Sequence, residues 1–134
     1  MLERLQNLEE NIANLQQMRQ THTLEDMKKN KFDEWALRYG LFESIQIIID
    51  LSCHLAAKYN LGISKTYVEC IEKLETFEFI DAKLAKNLIA SIGLRNMLIH
   101  EYVKIDIEQL YGYLESIEDF SYFIQAISEH IVLE

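Results

Sequence analysis

Between Gly93 and Tyr102 the chain reads Gly-Leu-Arg-Asn-Met-Leu-Ile-His-Glu-Tyr. Arg95, Asn96, His100 and Tyr102 supply a permanent cation, an amide, a ring that titrates near neutrality and a phenol. That set suits work on a phosphate. A guanidinium grips phosphate oxygens through a planar fork, and a neutral imidazole, with a reference pKa near ~6.5, can accept a proton. On a continuous helix Arg95 and Tyr102, seven apart, nearly eclipse each other. Asn96 and His100, four apart, stack about a quarter-turn away. Leu94, Met97 and Leu98 then point the other way, toward a core. A structural reading uses the same residue types: cations and Asn are common where helices end, and Tyr at core edges.

The elements that must position this stretch read as helices. Leu5, Leu8, Ile12, Leu15 and Met18 repeat over residues 2–20 at helical spacing. Thr23 with Asp26 resembles a capping arrangement that starts a new segment. Lys28, Lys29 and Lys31 form the dense basic cluster of the chain, a solvated linker or an RNA or partner contact. From about Asp33 to Tyr59 runs a strongly apolar helix, including Trp35, Leu41, Ile45 and Ile49, which predicts the central buried element. Asp50 and His54 interrupt it four apart, either as a self-satisfied pair or as groups that orient the Arg95/His100 face from behind.

Asn60-Leu61-Gly62 ends that helix, and Thr66 with Glu69 caps a shorter one whose inward residues include Val68, Ile71, Leu74 and Phe77. Asp81 caps the helix that carries Leu84, Leu88 and Ile92 inward and leads into the Arg95 stretch. Gly93 permits close approach of another backbone. Asp106 with Gln109 opens the last helix, a bundle seam of Leu110, Tyr113, Ile117, Phe120, Ile124, Ile127 and Ile131. The expected fold is all-α: one domain over residues 1–134, an antiparallel bundle of about five helices.

Composition supports this. The 134 residues are 49% hydrophobic and 26% charged, with no proline and four glycines, so little interrupts helices. A net charge of -9 argues against a general nucleic-acid coat protein but leaves room for a local basic pocket. Cys53 and Cys70 fit no pairing or metal motif, and no spacing gathers them with two histidines around zinc. No glycine-rich phosphate loop is present, so neither a metal nor a cofactor is expected. With no secretory signal and no apolar stretch long enough to cross a bilayer, the reading is a cytoplasmic protein with reduced thiols and no membrane contact.

Arg95-Asn96-x-Leu98-Ile99-His100-x-Tyr102 resembles the signature of the HEPN superfamily, an arginine and a histidine separated by four residues. The added tyrosine and the flanking context resemble the HepT toxin family, over almost the whole chain. The resemblance implies a helical bundle that dimerises with its two motifs face to face. It also implies metal-independent endoribonuclease activity carried by Arg95 and His100, with Asn96 holding a phosphate oxygen or orienting His100. The implied partner is a minimal nucleotidyltransferase antitoxin that adenylylates Tyr102. The alternative is a non-catalytic, nucleotidyltransferase-binding module.

Overall fold

The computed structural model describes residues 1–100 and 104–132. Helix α1 spans Leu2–Thr21, α2 Leu24–Lys29, α3 Lys31–Lys58, α4 Tyr67–Thr76 and α5 Ala82–Ile99. Helices α6 (Ile107–Gly112) and α7 (Ile117–Val132) are joined by a single 3₁₀ turn at Tyr113–Ser116. The expected all-α bundle is therefore present. Two details differ: the Thr23 segment is a short helix of its own, and the last helix is broken where the apolar spacing predicts a continuous seam.

Local chemistry accounts for the boundaries. Thr23 and Asp26 make a full capping box, each side chain bonded to the other's backbone N–H. Asp81 accepts from Leu84 N at 2.8 Å, Thr66 from Glu69 N at 3.2 Å, and Asp106 from Glu108 N at 3.2 Å. Each side-chain oxygen thus satisfies one amide that a helix start leaves without a partner. Asn60 adopts φ 59° after α3, the left-handed conformation that lets the chain turn away.

Helix α3 is the hub, packed by α1, α4 and α5. Leu37, Leu41, Leu51 and Leu55 are fully buried along it, against Leu8 of α1, Ile71 of α4 and Phe120 and Phe123 of α7. Gly40 leaves room for α1: a β-carbon added there would stand 3.0 Å from Leu15 Cδ2. Gly93, by contrast, has open space around it within the chain.

Three expectations about burial and bonding are corrected. Trp35, predicted inside, is 55% exposed, because it lies on the flank of α3 that no other helix covers; Phe77 is exposed at the end of α4. Cys53 and Cys70, expected as free reduced thiols, are joined in a disulfide between α3 and α4. Their Cα atoms are 5.0 Å apart because the α3–α4 turn folds α4 back along α3, a contact that no local spacing announces. Finally, α3 is by length and mean hydropathy (1.3) long and apolar enough to cross a membrane, contrary to expectation. Its most apolar window is 56% buried in the bundle, as suits a core helix.

Candidate functional site

Arg95 lies on the last two turns of α5, half-buried against α3 and α4. Its Nε donates to Gln46 Oε1 at 2.9 Å, and one terminal nitrogen donates to Asn96 Oδ1 at 3.0 Å. Its guanidinium carbon lies 5.2 Å from the Tyr67 ring centre and 5.8 Å from that of Phe42. Phe42 and Gln46 are one turn apart on α3, and Tyr67 is the first residue of α4, placed by the Thr66 cap. Three helices therefore hold the cation. Among the described residues its two hydrogen-bond acceptors are neutral amides, which orient the charge without cancelling it. A guanidinium has five N–H groups, and these bonds use two of them.

Behind Arg95 the bonding continues. Gln46 Nε2 donates to Asp50 Oδ1 at 3.0 Å, and Arg4 of α1 meets Asp50 Oδ2 at 2.7 Å. The line Arg4–Asp50–Gln46–Arg95–Asn96 crosses from α1 through α3 to α5. Asp50 reaches Arg95 through Gln46. Gln46 and Arg4 thus engage the two carboxylate oxygens of Asp50. His54 sits half-buried one turn further along α3.

His100 is exposed and caps the C-terminus of α5 with extended backbone, φ -80° and ψ 107°. The helix stops at Ile99, so His100, four residues after Asn96, stands at its end rather than inside it. The eclipse of Arg95 by Tyr102 relies on the same continuous helix, and Tyr102 itself lies outside the described residues. Leu94 is buried, and Met97 and Leu98 pack against the core, as expected. The basic cluster is drawn into ion pairs: Lys28 with Glu25 and Glu108, Lys31 with Glu34. Glu108 raises the Lys28 pKa.

Sequence reasoning missed Gln46, Arg4, Phe42 and Tyr67. Gln46 had a signal, as a polar residue one turn before Asp50 inside an apolar run. The others are defined only by packing. Toward the start of α3, Phe32, Trp35 and Tyr39 continue the Phe42 face outward; Phe32 and Trp35 meet edge-on at 5.5 Å. Tyr39 donates a short hydrogen bond to Glu43, which also accepts from Asn11 of α1 at 2.9 Å. These bonds hold the Glu43 carboxyl below its ordinary range and raise the Tyr39 phenol. Among the described residues no group of three or more His, Cys, Asp or Glu side chains is placed to hold a metal ion.

Known proteins share this fold. The family described as Ribonuclease HepT-like matches residues 8–127. The tRNA nuclease HepT of Aphanizomenon flos-aquae is 28% identical over 105 residues, 77% of this chain and 71% of that protein. The mRNA nuclease HepT of Shewanella oneidensis is 26% identical over 112 residues, 83% and 77% of the two chains. Among solved structures, the tri-AMPylated Shewanella oneidensis HEPN toxin in complex with MNT antitoxin superposes with a TM-score of 0.85. It is 22% identical, and 96% of each chain is covered. The Bacillus subtilis cytosolic protein YutE, of unknown function, has a TM-score of 0.74 at 15% identity over 94% of this chain and 89% of that one. The fold, the Arg95 stretch and the family match over residues 8–127 lead to one assignment: this chain belongs to the HepT-like ribonuclease family.

Proposed function

We propose that the protein is the toxin of a HepT and minimal-nucleotidyltransferase pair, an endoribonuclease that cleaves RNA without a metal ion. The observation that carries this is the held but uncancelled charge of Arg95, one residue from Asn96 and five from His100. RNA brings its own nucleophile. His100 takes the proton of a ribose 2′-hydroxyl, whose oxygen attacks the adjacent phosphorus while the bond to the 5′-oxygen breaks. Arg95 stabilises the negative charge that develops on the phosphate oxygens. Asn96, bonded to Arg95, keeps the guanidinium plane aimed and offers one of its two amide N–H groups to the same phosphate. The 5′-oxygen leaves with a proton, and the product ends in a cyclic phosphate.

A single motif has one histidine for two proton transfers, so the reading includes a homodimer in which His100 of a second copy protonates the leaving oxygen. The exposed stripe of Phe32, Trp35 and Tyr39, continuous with Phe42 under Arg95, supports this. Large aromatic side chains of this kind are typical anchors at the centre of protein interfaces. Control falls to Tyr102. The antitoxin transfers AMP from ATP to its phenol oxygen, releasing pyrophosphate, and the attached phosphodiester repels RNA and competes for Arg95. The Shewanella complex, a tri-AMPylated HEPN toxin bound to MNT antitoxin, supports this part by similarity.

The deciding experiment is RNA cleavage by purified protein in the presence of chelator. Cleavage should persist in chelator and fall about a hundredfold or more in His100→Ala, the usual scale for a general base. Arg95→Ala should fall comparably while staying folded. Cleavage that needs a metal, or that survives both substitutions, overturns the reading.

A further inference from the structure

Beside Arg95 lies a cavity of about 740 Å³ that the chemistry above does not use. It opens between the C-terminal half of α3, the loop of residues 62–66 with its polar Ser64, Lys65 and Thr66, the start of α4, and Ile92 and Asn96 of α5. Its inner surface is apolar: Ala56, Val68 and Ile92 line it together with the Cys53–Cys70 disulfide. Two residues of the phosphate site also line it. Asn96 follows Ile92 by one helical turn on α5, and Tyr67, whose ring lies over Arg95, stands at the start of α4.

We propose that this cavity is a nucleobase pocket, which reads the nucleotide beside the cleaved phosphate; the proposal rests on the ribonuclease reading above. Its size falls within the roughly 300–1,000 Å³ typical of small-ligand sites. A base has two apolar faces and a polar edge, and single-stranded RNA is recognised by stacking the faces and hydrogen-bonding the edge. The apolar lining and the Tyr67 ring suit the faces. Asn96 suits the edge, because the Arg95 bond to its Oδ1 fixes the amide plane and so commits Nδ2 as the donor end. The pocket and the cation share two residues, so a base seated in one sets its own phosphate near the other. That juxtaposition is what a sequence-selective cut requires, and it makes Asn96 the hinge between binding and chemistry.

The test uses the full-length protein and RNA oligonucleotides that carry an abasic ribose on the 5′ or the 3′ side of the cleaved bond. In the wild type, one of these two substitutions should lower kcat/KM by about 5- to 150-fold, the range implied by ~1–3 kcal/mol per stacked base. Ala57→Phe places bulk at the mouth of the cavity from an exposed position of α3. It should lower kcat/KM on intact RNA by a similar factor and lose its sensitivity to that abasic position. Val68→Phe, which fills the same cavity from α4, should repeat the result, with circular dichroism establishing that both variants are folded. If the wild type cuts both abasic RNAs as fast as intact RNA, or if the losses from filling and base removal multiply, the pocket is not a base site and the ribonuclease reading stands. If the wild type cuts no RNA, that reading fails by itself. Fluorescence anisotropy with the same oligonucleotides then decides the pocket: equal affinity for intact and abasic RNA overturns it.

Discussion

Arg95 Nε reaches Gln46 Oε1 at 2.9 Å across the contact between α5 and α3, and this bond ties the cation of the site to the most buried helix. Gln46 in turn bonds Asp50, which is paired with Arg4 at the other side of α3. A carboxylate placed directly on Arg95 would hold it equally well but cancel the charge that phosphate needs. The interposed amide separates the two demands. Glutamine acts as a spacer.

Replacing Gln46 by leucine keeps the volume and removes the acceptor. The expected result is a folded protein whose RNA cleavage falls about tenfold, because Arg95 keeps its charge and loses its aim. Gln46→Glu should do worse than leucine at low salt, since it delivers the cancelling carboxylate. Kinetics of both variants at two ionic strengths check this, and glutamate cleaving as fast as glutamine would disprove the spacer role.

Arg95→Lys preserves the charge and loses the fork. A lysine cannot bond Gln46, Asn96 and a phosphate at once. Cleavage should drop by about a hundredfold with little change in melting temperature, measured side by side on the same preparation.

The disulfide closes a loop between residues 17 apart, for which chain-entropy arguments give about 3 kcal/mol. Alkylation of the oxidised, unfolded protein should add nothing to its intact mass, and alkylation after reduction should add two groups. Cys70→Ser should lower the melting temperature by about 10 °C. Two adducts before reduction would show that the bond does not form in solution.

Stability should also fall in acid through Glu43. Its folded carboxyl is held below the ordinary value by Tyr39 and Asn11, so the folded state favours the charged form. The contribution is fully present above the unfolded pKa, near ~4.3, and is lost as pH falls through the lower folded value. Urea melts at pH 7 and pH 3 should show a smaller acid loss in Glu43→Gln than in the wild type. An unchanged loss would assign the acid sensitivity elsewhere.

Removing Phe120, which is fully buried among α1, α3 and α7, should cost about 3–5 kcal/mol as Phe120→Ala. A denaturant melt reads this directly. A cost below about 1 kcal/mol would mean that the bundle closes around the missing ring.

Much of the fold was legible because helix starts and core faces are local signals. Thr23, Thr66, Asp81 and Asp106 each announce a cap, and Leu84, Leu88 and Ile92 announce a buried face. Arg95 and Asn96, which bond each other, were legible by type and spacing. What the sequence hid depends on contacts between distant segments. Gln46 reaches Arg95 over 49 residues, and Cys53 meets Cys70 only after α4 folds back. Trp35 misled because an apolar residue on a core helix can lie on the flank that the bundle leaves uncovered. That α5 ends near this stretch was expected, but not that it ends at Ile99, since no glycine or proline marks the position.

That helix end has an evolutionary consequence. Arg95 and Asn96 belong to a segment whose neighbours are core, while His100 stands just past it, exposed. Substitutions at Arg95 act on a residue engaged with three helices. Substitutions at His100 remove the proton acceptor of the proposed mechanism from an exposed position at the helix end. On the proposed reading, a lineage under pressure from this protein has a short route to an inactive allele that still folds. Loss of activity and loss of the protein are separate events in this fold, one substitution versus many.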